Sequence, residues 1–206
     1  MVFLDVTTTE ELIAYLEMIR DAPGTYVIQL EPGSTYDLIE RYRDTPWALP
    51  TILGYDYDIT IQGFNATLAV QSHVPLGIFR LGGEVKLHLE NLTFANAKSL
   101  KLGGAVTMTK GELHLDQVTF LNNQAYRGMA LRLIDTDLIC RRSQFVGNPT
   151  LHPCSSGDNG ATIDFNGAQA SLDIRDCVFH ANGLGLRMGN AETAKVVRTM
   201  FVNNSE

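Results

Sequence analysis

The chain has 206 residues, of which 45% are hydrophobic and 19% charged, with a formal net charge of −7. That is enough apolar side chain to fill one domain's core, and the excess of carboxylates argues against a dedicated nucleic-acid binder. No run approaches the ~20 consecutive apolar residues of a membrane-spanning helix, and the opening MVFLDVTTTEE lacks the basic segment and longer apolar run of a secretory signal.

In chain order, residues 2–6 (VFLDV) read as a short strand. Thr7 to Thr9 followed by Glu10 and Glu11 form a helix start, a hydroxyl cap with carboxylates at the positive end of the helix dipole. Leu12, Ile13, Leu16 and Ile19, with Tyr15 alongside, give one apolar face to about Arg20, and Pro23-Gly24 ends it. Such a helix is expected to cap the exposed end of the sheet that follows. Residues 25–38 predict a strand pair about a Pro-Gly turn. Residues 39–50 hold Glu40, Arg41, Arg43, Asp44 and the only tryptophan, and read as a loop against the helix flank with Trp47 in a structural role. Residues 58–70 (DITIQGFNATLAV) are the first clear coil wall.

From residue 71 onward one phrase recurs. Aligning Phe94, Phe120, Phe145, Phe179 and Phe201 brings five copies into register. A first apolar-x-apolar triplet reads Phe79/Leu81, Val106/Met108, Leu131/Leu133, Ile163/Phe165 and Leu186/Met188. A second reads Leu87/Leu89, Leu113/Leu115, Leu138/Cys140, Leu172/Ile174 and Ala194/Val196. Period-two alternation over runs this short describes a strand with one buried face, and a unit of about 22–34 residues without helical periodicity describes a solenoid. Gly103, Gly128, Gly160 and Gly183 precede the first triplet, at a corner. Asn123, Asn148, Asn182 and Asn204 follow each aromatic by three residues, where asparagine suits left-handed backbone or a hydrogen bond to the asparagine of the next coil. The first copy differs, with Ala97 in that column and Asn96 one residue early.

GGAV (103–106) followed by FLNN (120–123) resembles the paired GGA(I/V/L) and FxxN repeats of chlamydial polymorphic outer-membrane proteins. It is similar, more widely, to bacterial right-handed parallel β-helix proteins of pectin-lyase-like fold. The order TTTEEL, LEPGSTYDL, LPTI, DITIQGFNATL is similar to the N-terminal cap region of such proteins. The resemblance spans nearly the whole chain and implies an all-β fold, a right-handed parallel β-helix with an N-terminal capping α-helix. The length allows one domain or a short pair, and the continuous repeat argues for one: a cap at 1–24, first coils at 25–70 around the loop 39–50, and five repeat coils at 71–206 with an insertion near 149–159. The chain is expected to be part of a longer protein, its C-terminal end covered by further coils or a partner chain. The resemblance does not select an activity, because this fold carries adhesins, lyases, hydrolases and epimerases alike.

Function is expected on outward columns. Between the first apolar pair stand Arg80, Thr107, Arg132, Asp164 and Arg187, one per coil. Arginines at that spacing suit an acidic polysaccharide, unless Asp164 pairs with Arg132 and Arg187. Between the second pair stand His88, His114, Ile139, Asp173 and Lys195, and two positions on come Glu90, Asp116, Arg141, Arg175 and Val197. Stacked His88 and His114 near Asp116 could bind a metal or exchange protons near neutral pH, whereas Asp116 beside Arg141 also reads as an ordinary charge ladder; the three are taken as ligand-binding candidates, and no metal site and no cofactor is expected. Flat threonine arrays are read as missing, which disfavours an ice-binding solenoid. Enzymes of the resembled fold are known for a calcium-binding carboxylate cluster with an arginine base, or for NTD, DD, GHG and RIK motifs. Here Asp164, Asp173 and Asp176 are separate, no Asp-Asp pair occurs, and HANG (180–183) is not GHG.

Of the cysteines, Cys140 and Cys177 read as small buried hydrophobes in different inward columns of adjacent coils, and Cys154 as a loop thiol beside His152. The sequons at Asn65, Asn91 and Asn203 are short enough to arise by chance. The sequence thus predicts a secreted or cell-surface module for adhesion, glycan binding or structural presentation, without catalysis. The alternative is a lyase, epimerase or hydrolase acting on acidic glycans. The expected partner is a polysaccharide or host-surface glycan, not nucleic acid.

Overall fold

The structure, a computed structural model, describes residues 1–100, 103–150 and 160–205. The strands are β1 (Val2–Val6), β2 (Gly24–Leu30), β3 (Thr35–Leu38), β4 (Ile52–Val70), β5 (Phe79–Ala95), β6 (Val106–Thr109), β7 (Glu112–Asp116), β8 (Thr119–Leu121), β9 (Leu131–Ile134), β10 (Asp137–Arg141), β11 (Gln144–Val146), β12 (Ala161–Arg175), β13 (Val178–His180), β14 (Leu184–Val197) and β15 (Met200–Val202). Among the described residues all strand pairing is parallel, and the chain winds into a β-solenoid of about 7 turns. Each coil contributes to three faces: face A from the first apolar triplet, face B from the second, and face C from the aromatic column. Cys154 and the sequence around it lie outside the described residues.

The helix α1 (Thr9–Asp21) begins at Thr8, whose Oγ1 accepts the Glu11 N–H while the Glu11 carboxylate accepts the Thr8 N–H. This reciprocal capping box satisfies two of the donors that a helix start leaves without partners. Leu12, Leu16 and Ile19 are fully buried in the common core, and α1 packs on β1, β3 and β4, the strands of the first coils. The loop after β3 ties to the helix as expected. Tyr42 Oη donates to Glu17, Arg20 donates to Tyr42, and Arg43 pairs with Glu17. The residues 25–38 do not form a pair with each other: β2 lies between β1 and β4, and β3 pairs with β4 alone. Pro32-Gly33 therefore turns a corner within one coil instead of closing a hairpin.

Inside, like residues stack. Phe94, Phe120, Phe145, Phe179 and Phe201 form one file with successive ring centroids 5.4, 5.0, 4.5 and 4.6 Å apart. The rings lie within 7–14° of parallel, an offset stack forced by the ~4.8 Å spacing of neighbouring strands. Leu68 and Tyr36 continue the file toward the first coils. Tyr36 keeps a polar end there, its hydroxyl donating to the Val6 carbonyl at 2.6 Å. At the other end β14 and β15 each have a neighbour on one side, and Phe201 is 48% exposed.

Beside the aromatic file runs a second ladder. Each asparagine donates through Nδ2 to the carbonyl of the aromatic one coil back: Asn123 to Phe94, Asn148 to Phe120, Asn182 to Phe145, and Asn204 to Phe179, at 2.8–3.0 Å. Each Oδ1 accepts the backbone N–H of the preceding rung, so Asn123 donates to Asn148, Asn148 to Asn182, and Asn182 to Asn204. The expected left-handed backbone is displaced by one residue. It falls on Asn96, Asn122, Gly147, Ala181 and Asn203, just before the ladder column. The ladder asparagines instead turn their amides inward, where Asn123 and Asn148 are fully buried.

Candidate functional site

The register places Arg80, Thr107, Arg132, Asp164 and Arg187 in one line down face A. That line is largely covered. Thr107 and Asp164 are 9% and 7% exposed, and Arg132 donates to Asp164 at 2.7 Å with both side chains mostly out of water. Burial lowers the affinity of the Arg132 guanidinium for its proton, and Asp164 opposes that effect. At Thr107 and Arg132 the glycine corners contribute to the covering. A Cβ on Gly103, at φ +73°, would fall 1.6 Å from Thr107 Oγ1, and one on Gly128, at φ +62°, 2.8 Å from the Arg132 Cβ. Only a residue without a side chain lets the corner cross this close to the strand. Arg80 is exposed and without a partner among the described residues, whereas Arg187 is engaged.

Face B presents the second line, and its register is as aligned: Thr60, His88, His114, Ile139, Asp173 and Lys195. The His88 and His114 rings are 4.4 Å apart and tilted by 50°. His88 faces Asp58, and His114 faces Glu112, each at 3.5 Å. Burial, then the neighbouring His88, pull the His114 imidazole below its usual value. Among the described residues no group of three or more His, Cys, Asp or Glu is placed to hold a metal ion. The rest of the face compensates itself. Lys86 pairs with Glu112, Arg141 and Arg175 both hold Asp173, Arg142 holds Asp116, and Arg198 holds Asp176. These contacts keep Glu112, Asp173 and Asp176 below the usual carboxylate range, first through the hydrogen bonds from Lys86, Arg175 and Arg198 respectively.

Two recesses lie at the coil corners. Between faces A and B an open cleft of about 670 Å³ is lined by Asp56, Asp58, Glu84, Glu112, Asp135 and Asp137 against Lys86 and Lys110. Its charge is negative, which repels acidic glycans. Between faces B and C lies a groove of about 370 Å³ of a different chemistry. Its corner residues Asn65, Asn91, Gln117 and Arg142 all have left-handed backbone, with φ from 47° to 67°. Its strand side holds Thr93, Thr119 and Gln144, and no carboxylate lines it.

The threonines belong to a column that the sequence pattern did not single out. Thr35, Thr67, Thr93 and Thr119 are in register down face C, one per coil. A threonine array is therefore present, as a single row; the next outward column is Asp37, Ala69, Ala95 and Leu121. The signal lay one residue before Tyr36, Leu68, Phe94 and Phe120. Along the same row the corner supplies Asn65, Asn91 and Gln117, two residues before the threonine. The side chains of Asn91, Thr93, Gln117 and Thr119 have no hydrogen-bond partner among the described residues. Two of the three sequons are this same pairing, a corner amide followed by a strand hydroxyl.

No protein-family model, curated protein or solved structure matches this chain.

Proposed function

We propose that this chain is a non-catalytic β-helix module of a secreted or surface protein that binds polysaccharide along its outer wall, in adhesion or structural presentation. The observation that carries the reading is the groove between faces B and C. It offers an amide and a hydroxyl from each of successive coils, none of them engaged within the described residues. The coil rise of ~4.8 Å is close to the length of one pyranose ring, so an extended glycan lying along the groove meets one such pair per sugar. Ring hydroxyls donate and accept, and Asn, Gln and Thr do both. A neutral glycan suits the groove better than an acidic one. The lining arginine, Arg142, already holds Asp116, and the neighbouring cleft is rich in carboxylates. The similarity of GGAV and FLNN to the repeats of chlamydial polymorphic outer-membrane proteins supports the surface setting.

A panel of neutral and acidic polysaccharides cast into native gels tests this. Retardation is expected in neutral glycans, and it should be lost in Asn91→Ala with Gln117→Ala while the melting temperature stays put. Release of unsaturated or reducing ends by the wild-type chain would instead favour a lyase or hydrolase working from the acidic cleft.

A further inference from the structure

We infer that Cys140 and Cys177 are the site of a reversible disulfide that staples two successive coils. Their sulfurs are 3.6 Å apart, and both residues are buried, at 0% and 1% exposure. The two belong to different inward columns, and Cys140 departs from the rule of its own. Cys140 stands in register with Leu89, Leu115, Ile174 and Val196, otherwise all aliphatic. Cys177 stands in a column that reads Leu92 and Val118 in the earlier coils and Ser143 and Thr199 in the coils on either side of it. Ser143 Oγ donates to the Arg141 carbonyl and Thr199 Oγ1 to the Val197 carbonyl, each two residues back, and Cys177 Sγ does the same to Arg175 at 3.1 Å. A leucine at 140 and a serine at 177 would satisfy both columns, yet cysteine occurs at the two positions whose side chains meet on a diagonal between coils.

The two thiols differ in a way that suits exchange. Cys177 is drawn below the usual thiol value, first by its hydrogen bond with the Cys140 sulfur, in which either thiol can donate, and against the effect of burial. Cys140 is pushed up, first by that same hydrogen bond and then by burial. With a small disulfide such as oxidised glutathione as the oxidant, the Cys177 thiolate attacks one sulfur and expels a first glutathione thiolate. Cys140, deprotonated, then attacks the Cys177 sulfur of the mixed disulfide and expels the second. The cysteine pair loses two electrons and two protons, and the oxidant takes them up as two thiols. An S–S bond is ~2.05 Å long, so the sulfurs must approach by about 1.5 Å, which side-chain rotation with a small coil shift supplies. The bridge closes a loop of 37 residues and links β10 to the turn before β13, across the insertion between them.

The test uses the full chain carrying Cys154→Ser, so that only this pair can bridge. The protein is refolded in glutathione buffers of graded redox ratio, quenched in acid, alkylated after unfolding, and weighed intact. The expected product has lost two hydrogens, carries no glutathione and no alkyl group, and yields a Cys140–Cys177 cross-linked peptide. Its urea midpoint is expected to lie on the order of 1 M above that of the reduced form. Cys140→Val and Cys177→Ser, chosen because Val196 and Ser143 occupy the same columns, should fold and lose the shift. Two alkylated thiols at every redox ratio, or only glutathione adducts, would overturn the inference.

Discussion

Asparagine occurs on two corners of this solenoid and means something different on each. On the inner corner Asn123, Asn148 and Asn182 are closed into a ladder, each amide bonded to the aromatic carbonyl behind it and to the asparagine ahead. On the outer corner Asn65 and Asn91, with Gln117 in the next coil, line a groove, and the Asn91 and Gln117 side chains have no partner among the described residues. The backbone differs in the opposite sense from what residue type suggests. The outer residues are left-handed, while the inner ladder residues are not. A polar residue repeated at coil period is thus structural where its partners lie inside the protein, and available to a ligand where they do not.

The largest expected effects lie on the inner corner. Asn148→Ala removes the side-chain donor from the Phe120 carbonyl and leaves the buried Asn123 N–H without its acceptor, and should cost on the order of 3 kcal/mol in urea unfolding. Phe145→Ala, opening a gap in the middle of the aromatic file, should cost about as much. A cost under about 1 kcal/mol for Asn148→Ala would erase the distinction between the two corners. Next comes Arg132→Met, which sharpens the comparison because Arg132 is outward by register but covered in fact. Removing it strands the Asp164 carboxylate, 10% exposed in its side chain, and should destabilise by about 3 kcal/mol.

A smaller effect is expected in the pH profile. His114 binds its proton less well in the fold than in the unfolded chain, because of burial and then His88. As pH falls below the ordinary histidine value of about 6.5, the unfolded chain takes up the proton first, and stability is lost through the lower folded value. His114→Gln should flatten that part of the urea-midpoint profile. The smallest stability change, within about 0.5 kcal/mol, is expected for Asn91→Ala, which should nonetheless weaken glycan retention. A large loss of stability there would make the outer row structural too.

The aromatic file and the strand triplets were legible in the sequence because a bulky residue recurring beside period-two alternation describes little besides a stack of coils. The helix was legible through Thr8, Glu11 and its apolar face. The asparagine column was visible, with a bond to the next coil's asparagine among its readings, but the one-residue displacement of the left-handed backbone was not, since residue type alone does not say whether a turn residue points in or out. The threonine row stayed hidden for two reasons. Threonine is an ordinary strand former, and the column drifts to Gln144, Val178 and Met200 in later coils. The covering of Thr107 and Arg132 was invisible because it depends on how closely a glycine corner crosses a neighbouring strand. Cys177 is the small buried residue its column suggests, and its Sγ also makes the turn bond that Ser143 and Thr199 make.

Side-chain amide resonances separate the two rows in one experiment. On titration with a neutral oligosaccharide from the retained class, the NH2 signals of Asn91 and Gln117 should move together and saturate, while those of Asn123, Asn148 and Asn182 stay fixed. Movement of the inner amides with the outer ones unmoved, or no movement of either at saturating sugar, would contradict the assignment of the outer corner as the binding surface.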